Sequence, residues 1–183
     1  HPGMAFGTGE HQTTQLCCLA LRRLLTDHSS KGMAVLDYGS GSGILSFAAL
    51  LFGASRAVGV EIDTEALATS RLNAIENGLA DRFVAELPDE ETARGQTYPL
   101  VVANILAGTL IELSDLIAAR VAPGGTLLMS GIWGEEQAQR VQATYEAKGF
   151  GPFVVEFAEG GWALLEAPKP GDGAPGNQEE QEA

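Results

Sequence analysis

The sequence predicts an α/β protein whose core is a doubly wound, mostly parallel sheet of seven strands. Three observations predict this fold. Short apolar runs alternate with segments of helical periodicity along the chain. Several runs, such as residues 100–105, are apolar throughout, which is typical of strands buried on both faces of a parallel sheet. A glycine-rich turn at residues 39–43 joins the first run directly to a helical segment.

Each element is predicted by its own pattern. Apolar residues at helical spacing mark the first helix, and Asn77-Gly78 is typical of a helix end. The charged segment 88–98 has no periodicity and is predicted to be a loop. The predicted helices are 13–26, 43–52, 63–77, 108–121 and 135–148, and the predicted strands are 34–37, 57–62, 82–87, 100–105, 126–130, 153–157 and 162–166.

The bulk composition favours one soluble globular domain that binds neither nucleic acid nor membrane. The chain has 183 residues, of which 45% are hydrophobic. Eleven basic and 24 acidic residues give a net charge of −13, which opposes attachment to DNA or RNA. No run approaches the roughly 20 apolar residues of a membrane-spanning helix. We also expect a monomer.

Cysteines and histidines match no metal-binding or redox spacing, so we expect no metal site. Cys17 and Cys18 are adjacent in a helical segment and are expected to be buried thiols. The absence of a secretory signal predicts a cytoplasmic protein. Because the chain begins at His1 rather than Met, we expect it to be a fragment, which leaves an organellar location open.

The composition changes after Ala167. Residues 168–183 are rich in proline, glycine and acidic residues, and such a segment buries too little apolar area to offset the entropy of ordering. We therefore expect a folded domain over residues 1–167 and a disordered tail beyond it.

The turn after the first strand predicts a site for a nucleotide-like cofactor. Gly39 and Gly41 allow a ligand to approach the backbone closely, and free amides at the helix start favour polar or anionic groups. A dinucleotide fingerprint needs glycine where Ile44 stands, which disfavours a nicotinamide oxidoreductase. Glu61 ends the second strand, where a carboxylate accepts hydrogen bonds from ribose hydroxyls. With Asp37 before the turn, this pattern resembles the class I S-adenosylmethionine-dependent methyltransferases, which have a Rossmann-like fold.

Asn104 is the candidate catalytic residue. It closes a buried apolar strand, where an amide side chain must find hydrogen-bond partners. We expect its carbonyl oxygen to accept from an amine and its nitrogen to donate to the cofactor. Methyl transfer from a sulfonium to a neutral amine needs positioning and desolvation more than a strong base.

The N-terminal segment FGTGEHQTT, residues 6–14, contains glycines and small hydroxyl residues before the first helix. We interpret it as a lid over the cofactor, with Phe6, Thr8 and His11 on the substrate side.

Six segments together resemble the ribosomal protein L11 methyltransferases over residues 2–166. They are PGMAFGTGEHQTT (2–14), VLDYGSGSGIL (35–45), VGVEID (58–63), NAIENG (73–78), VVANILAG (101–108) and MSGI (129–132). The resemblance implies S-adenosylmethionine-dependent methylation of lysine side chains and of an N-terminal amine on that large-subunit protein. It also implies cofactor contacts at Thr14, Gly39, Glu61 and Asn104.

The chain departs from this family pattern at several places. Glu61 stands where Asp is usual, Gln12 replaces a usual Pro, and the Gly160-Gly161-Trp162 region lacks the usual charged residue. The resemblance also implies an N-terminal domain that presents the ribosomal protein, and we expect this sequence not to include it. Two alternatives therefore stay open, an N-methyltransferase for another protein or a small metabolite and a noncatalytic S-adenosylmethionine-binding module. The acidic composition disfavours an RNA methyltransferase.

Overall fold

Helices and strands alternate along the chain in the computed structural model, which describes residues 11–27, 29 and 32–173. The elements are α1 (Gln12–Thr26), β1 (Ala34–Tyr38), α2 (Ile44–Leu51), β2 (Arg56–Val60), α3 (Thr64–Glu76), β3 (Phe83–Glu86), α4 (Pro88–Arg94), β4 (Tyr98–Asn104), α5 (Ala107–Glu112), α6 (Ser114–Arg120), β5 (Val121–Trp133), α7 (Gly134–Glu146), β6 (Val154–Phe157) and β7 (Trp162–Pro168).

The seven strands form one sheet in the order β3-β2-β1-β4-β5-β7-β6. Strands β1 to β5 pair in parallel, and β7 runs antiparallel to both of its neighbours. The predicted doubly wound, mostly parallel sheet of seven strands is confirmed. Strand order reverses between β1 and β4, and a crevice opens at this point outside the carboxyl ends of the strands.

Apolar side chains cover both faces of the central strands. In β1, Leu36 joins the core on one face, whereas Val35 joins the core on the other. Burial on both faces explains why these strands are apolar throughout rather than alternating. Cys17 is fully buried on the α1 side, as predicted, and Cys18 is only partly buried. In the described part of the chain, no helix is both long enough and apolar enough to span a bilayer.

Helix α4 corrects the prediction of a loop over residues 88–98. Pro88 occupies the first helical turn, where its missing amide hydrogen costs nothing. The Glu90 carboxylate accepts from the Leu87 amide at 2.9 Å, and Gly95 ends the helix with φ 61°. The helix has 7 residues, too few for helical periodicity to show in the sequence.

The predicted helix 108–121 is divided in two. Leu113, with φ −92° and ψ 12°, ends α5 and precedes α6. Strand β5 is longer than predicted, because residues on both sides of 126–130 also pair with neighbouring strands: Val121 with Tyr98, and Trp133 with Trp162. Strand β7 ends at Pro168, and the Lys169 ammonium donates to the Ala118 and Val121 carbonyls at 3.0 and 2.9 Å.

Candidate functional site

A cavity of about 630 Å³ lies at the carboxyl ends of β1, β2 and β4, which is the crevice where strand order reverses. Its volume is in the range of small-molecule sites. Five of the predicted cofactor residues, together with Asn104, line it: Thr14, Asp37, Gly39, Gly41 and Glu61. The tertiary structure therefore brings residues that are 90 positions apart in sequence to one cavity.

The glycine turn needs glycine for two different reasons. Gly39 has φ 81°, and a Cβ on it would lie 2.3 Å from Cγ2 of Ile105. Gly41 has φ 52°, but a Cβ there would meet no atom within 4 Å. Gly39 is therefore required for close packing as well as for its backbone conformation, whereas Gly41 is required for conformation alone.

The amides of the turn are used within the protein. Those of Gly39 and Ser40 both donate to the Val60 carbonyl, at 2.8 and 2.9 Å, and the Gly43 amide donates to the Ser40 carbonyl at 2.8 Å. These three amides precede the first residue of α2 and are not free for a ligand, whereas the expectation for the amides of the helix start itself stays a prediction. The turn offers a close approach of backbone rather than a ring of free N–H groups.

Glu61 is held at the cavity by three backbone amides. One carboxylate oxygen accepts from the Gly41 amide at 2.9 Å, and the other accepts from Ile62 and Asp63 at 2.8 and 3.0 Å. These bonds fix the carboxylate while the side chain is only half-buried. Since a carboxylate has about four acceptor positions, Glu61 retains capacity for a ligand hydroxyl.

Asp37 has a structural partner within the first turn of α2. Its Oδ2 accepts from the Ser46 amide at 3.1 Å and from the Ser46 hydroxyl at 2.7 Å. Burial raises the pKa of Asp37 to about 6, although the two bonds from Ser46 oppose the rise, and the nearby Glu61 carboxylate adds to it. The predicted cofactor residue thus also anchors α2 to β1.

Asn104 has one polar atom bound and one without a partner. Its Nδ2 donates to Oγ1 of Thr13 on α1 at 3.2 Å. This bond uses one of the two N–H groups of the amide, so donation from the other to the cofactor stays a prediction. Its Oδ1 is buried and accepts no hydrogen bond from the described residues. Because an unmatched buried acceptor costs free energy, this oxygen is suited to a donor that comes from a ligand.

His11, predicted to be on the substrate side, caps α1. Its Nδ1 accepts from the Thr13 amide at 3.2 Å and lies 2.7 Å from the Thr13 hydroxyl. The ring packs edge-on against Trp162 with centroids 5.0 Å apart. His11 is therefore connected to Asn104 through Thr13, which is hydrogen-bonded to both residues. Phe6 and Thr8 fall outside the described residues.

Two further hydroxyls at the cavity are buried without a partner among the described residues. They are Oγ1 of Thr14, which is 1% exposed, and Oγ of Ser40, which is 6% exposed. Thr14 was identified through the family resemblance, whereas Ser40 was missed because a serine between two turn glycines carries no signal in one sequence. Asn104, Thr14 and Ser40 together give the cavity three unmatched polar atoms.

Part of the cavity lining is an apolar wall that was not predicted. Its residues are Pro88 in α4, Leu106 and Leu113 on either side of α5, and Leu116 in α6. These short helices leave no clear periodicity in the sequence. The lining contains two carboxylates, those of Asp37 and Glu61, and no lysine or arginine from the described residues. Such a wall fits a flat apolar ring, and the charge favours a cationic or neutral ligand over a pyrophosphate.

Comparison with known proteins gives consistent matches. A family model described as ribosomal protein L11 methyltransferase (PrmA) matches residues 1–170. The ribosomal protein L11 methyltransferase of Xylella fastidiosa (strain 9a5c) is 54% identical over 137 residues, covering 74% of this chain and 44% of that protein. That of Azotobacter vinelandii (strain DJ / ATCC BAA-1303) is 46% identical over 168 residues, covering 90% of this chain and 54% of that protein.

A solved structure extends the comparison to the fold. The crystal structure of the ribosomal protein L11 methylase from Lactobacillus delbrueckii subsp. bulgaricus has a TM-score of 0.78 at 30% identity, covering 92% of this chain and 83% of that chain. The chain itself spans about half the length of the two curated relatives, 44% and 54% respectively.

Proposed function

The chain belongs to the ribosomal protein L11 methyltransferase family, and from this premise we propose that it transfers methyl groups from S-adenosylmethionine to amines of ribosomal protein L11. Its fold is the Rossmann-like fold of class I methyltransferases. The proposed acceptors are lysine ε-amines and the N-terminal α-amine. The proposed catalytic domain spans residues 1–167, and its proposed location is the bacterial cytoplasm, where ribosomal proteins are made.

The polar and apolar groups that line the cavity support the proposal that it binds S-adenosylmethionine. The fixed Glu61 carboxylate has an acceptor position left for a ribose hydroxyl, and the apolar wall that includes Pro88 and Leu116 suits the adenine ring. Thr14 and Ser40 offer buried hydroxyls to the polar methionine end. A cationic sulfonium fits a lining that has carboxylates and no basic side chain from the described residues.

The observation that carries the proposal is the unmatched Oδ1 of Asn104. Thr13 holds Nδ2, so the amide cannot turn freely, and Oδ1 is available to accept from the N–H of an incoming neutral amine. When bound, S-adenosylmethionine supplies an electrophilic methyl group whose bonding pair leaves with sulfur as a thioether. Asn104 orients the amine lone pair toward that methyl, and the proton released from the methylated amine passes to solvent.

Desolvation by the surrounding strands makes this orientation effective. Asn104 follows four residues of β4 that are at most 1% exposed, and Ile105 is bonded through its amide to the Ser130 carbonyl at 3.2 Å. A rigid strand end holds the accepting oxygen in place, so little reorganisation is needed when the amine arrives. This division of roles needs no strong general base.

The test separates the cofactor, the chemistry and the substrate. Calorimetry with S-adenosylhomocysteine measures cofactor binding, and incubation with labelled S-adenosylmethionine and large-subunit ribosomal proteins, followed by mass spectrometry, locates the methyl groups. We expect label on lysines and the N-terminus of L11. Failure to bind S-adenosylhomocysteine overturns the proposal, whereas transfer only to another protein or a small amine overturns the L11 assignment and retains amine methylation.

A further inference from the structure

A buried ion pair lies behind the apolar wall of the cavity. Nε of Arg120 on α6 donates to Oε2 of Glu91 on α4 at 2.8 Å. The Glu91 side chain is 0% exposed and that of Arg120 is 10% exposed. Oε1 of Glu91 is buried and accepts no hydrogen bond from the described residues.

On both helices the charged residue lies one turn after a residue of the apolar wall. Glu91 is three residues after Pro88, and Arg120 is four residues after Leu116, so on each helix the charged residue shares a face with the lining residue. Each helix has 7 residues, too few to be stable without tertiary contacts. The ion pair therefore joins α4 and α6 one helical turn after Pro88 and Leu116, the residues that line the cavity.

The charges of the pair also act on Tyr38 at the end of the first strand. The pKa of the Tyr38 phenol is raised, mainly by burial and then by the Glu91 carboxylate, and Arg120 opposes that rise. Tyr38 lines the cavity and directly precedes Gly39. The ion pair thus joins α4 to α6, and its charges reach the lining residue at the end of β1.

A stabilising role alone does not account for this arrangement. Burying two charges costs several kcal/mol, and apolar residues of similar volume often stabilise a protein equally well or better. The unmatched Oε1 adds to that cost. A directional bond between two short helices instead fixes the distance and angle at which they stand.

We propose that Glu91 and Arg120 are positioning residues that set the separation of Pro88 and Leu116, and thereby the affinity of the cavity for the adenine ring of the cofactor. The inference rests on the proposed function, because it assumes that S-adenosylmethionine occupies the cavity. Neither residue touches the cofactor; both act through the helices that carry the wall.

The test compares cofactor affinity with folding stability in the same variants. The variants are Glu91→Gln, Arg120→Met and the double variant Glu91→Met with Arg120→Met. Arg94→Gln is the matched control, since it removes the ion pair of α4 with Glu86 on β3, where the Arg94 and Glu86 side chains are 31% and 15% exposed. Calorimetry gives the Kd of S-adenosylhomocysteine at a temperature where thermal unfolding shows every variant folded, and steady-state kinetics give KM and kcat.

We expect the Kd for S-adenosylhomocysteine and the KM for S-adenosylmethionine to rise about tenfold in the three pair variants. A tenfold change is within the range of couplings found between contacting residues. We expect kcat to change less than twofold. The double variant should recover stability relative to Arg120→Met without recovering affinity, because two methionines fill the volume but supply no directional bond. Arg94→Gln should bind like the original protein.

Each other result overturns the inference. Unchanged Kd in the folded pair variants, an equal loss in Arg94→Gln, or affinity that follows stability through the whole set shows that the pair does not position the wall. If the original chain does not bind S-adenosylhomocysteine, the proposed function fails first and this inference falls with it. Binding by the original chain with equal affinity in all variants overturns the inference alone.

Discussion

The Gly41 amide donates to the Glu61 carboxylate at 2.9 Å, so the glycine turn after β1 and the acidic end of β2 form one hydrogen-bonded unit. The parallel register places Tyr38 opposite Val60, which brings the two strand ends side by side. A ligand that reaches Glu61 therefore also lies along the turn. We therefore expect a substitution in the turn or at Glu61 to disturb the other element and to weaken ligand binding.

Glu61→Ala should weaken cofactor binding. It removes a carboxylate that three amides hold toward the cavity, and each charge-assisted hydrogen bond to a ribose hydroxyl is worth roughly 1.5–3 kcal/mol. Calorimetry with S-adenosylhomocysteine measures the loss. Glu65→Ala is the control, because it deletes an exposed charge four residues away in the first turn of α3. Equal affinity in the Glu61 and Glu65 variants would refute the ribose role.

Asn104→Ala should reduce methyl transfer more than it reduces stability. Loss of the Oδ1 acceptor leaves the amine unoriented, and a misplacement of this kind costs about a hundredfold in rate. Thr13→Val removes the hydroxyl that holds Nδ2, so a smaller loss of the same sign is expected. Initial rates at saturating cofactor, with urea unfolding of each variant, separate the two effects. Full activity of Asn104→Ala at matched folding would exclude this role.

Gly39→Ala should be more destabilising than Gly41→Ala. Both residues have left-handed backbone, which costs a side chain roughly 1–2 kcal/mol, but only at Gly39 does a Cβ meet Ile105, at 2.3 Å. In the Gly39→Ala background, Ile105→Ala should recover part of the loss, and it should recover nothing in Gly41→Ala. Chemical denaturation of five variants, the two glycine variants, Ile105→Ala and the two double variants, completes the cycles. Equal destabilisation at the two glycines would contradict the packing argument.

Asp37 should make the protein more stable as the pH falls toward 4. Its pKa is about 6 in the folded protein, compared with an ordinary value of 3.8, so the folded state binds the proton more tightly. The stabilisation is fully present below 3.8 and is lost as the pH rises through 6, a change of about 3 kcal/mol. Asp37→Asn keeps an acceptor for Ser46 and should lose this dependence.

The measurement for Asp37 is the free energy of unfolding from pH 4 to pH 7. Other carboxylates titrate in the same window, so the decisive quantity is the difference between Asp37→Asn and the original protein. That difference should favour the asparagine variant increasingly as the pH rises. Parallel pH profiles would show that burial does not raise the pKa of Asp37.

Most strands and long helices were predicted to within about two residues, because a buried parallel strand and a helix of 13 residues both leave a clear pattern. Helix α4 and the break at Leu113 were not predicted. In α4 the determining contacts are a proline at the first turn and the Glu90 side chain bonded to the Leu87 amide, and such local signals are easily lost in a charged segment.

The sequence by itself determined which residues stand at the strand ends, because the glycine turn, Glu61 and Asn104 follow apolar runs whose order along the chain fixes the sheet. Only the tertiary structure decided how each polar group is matched. It assigned the turn amides to Val60, Nδ2 of Asn104 to Thr13, and Arg120 to Glu91. Periodicity is a local property of the chain, whereas a hydrogen bond between residues 91 positions apart, as for Asn104 and Thr13, exists only once the helices have packed on the sheet.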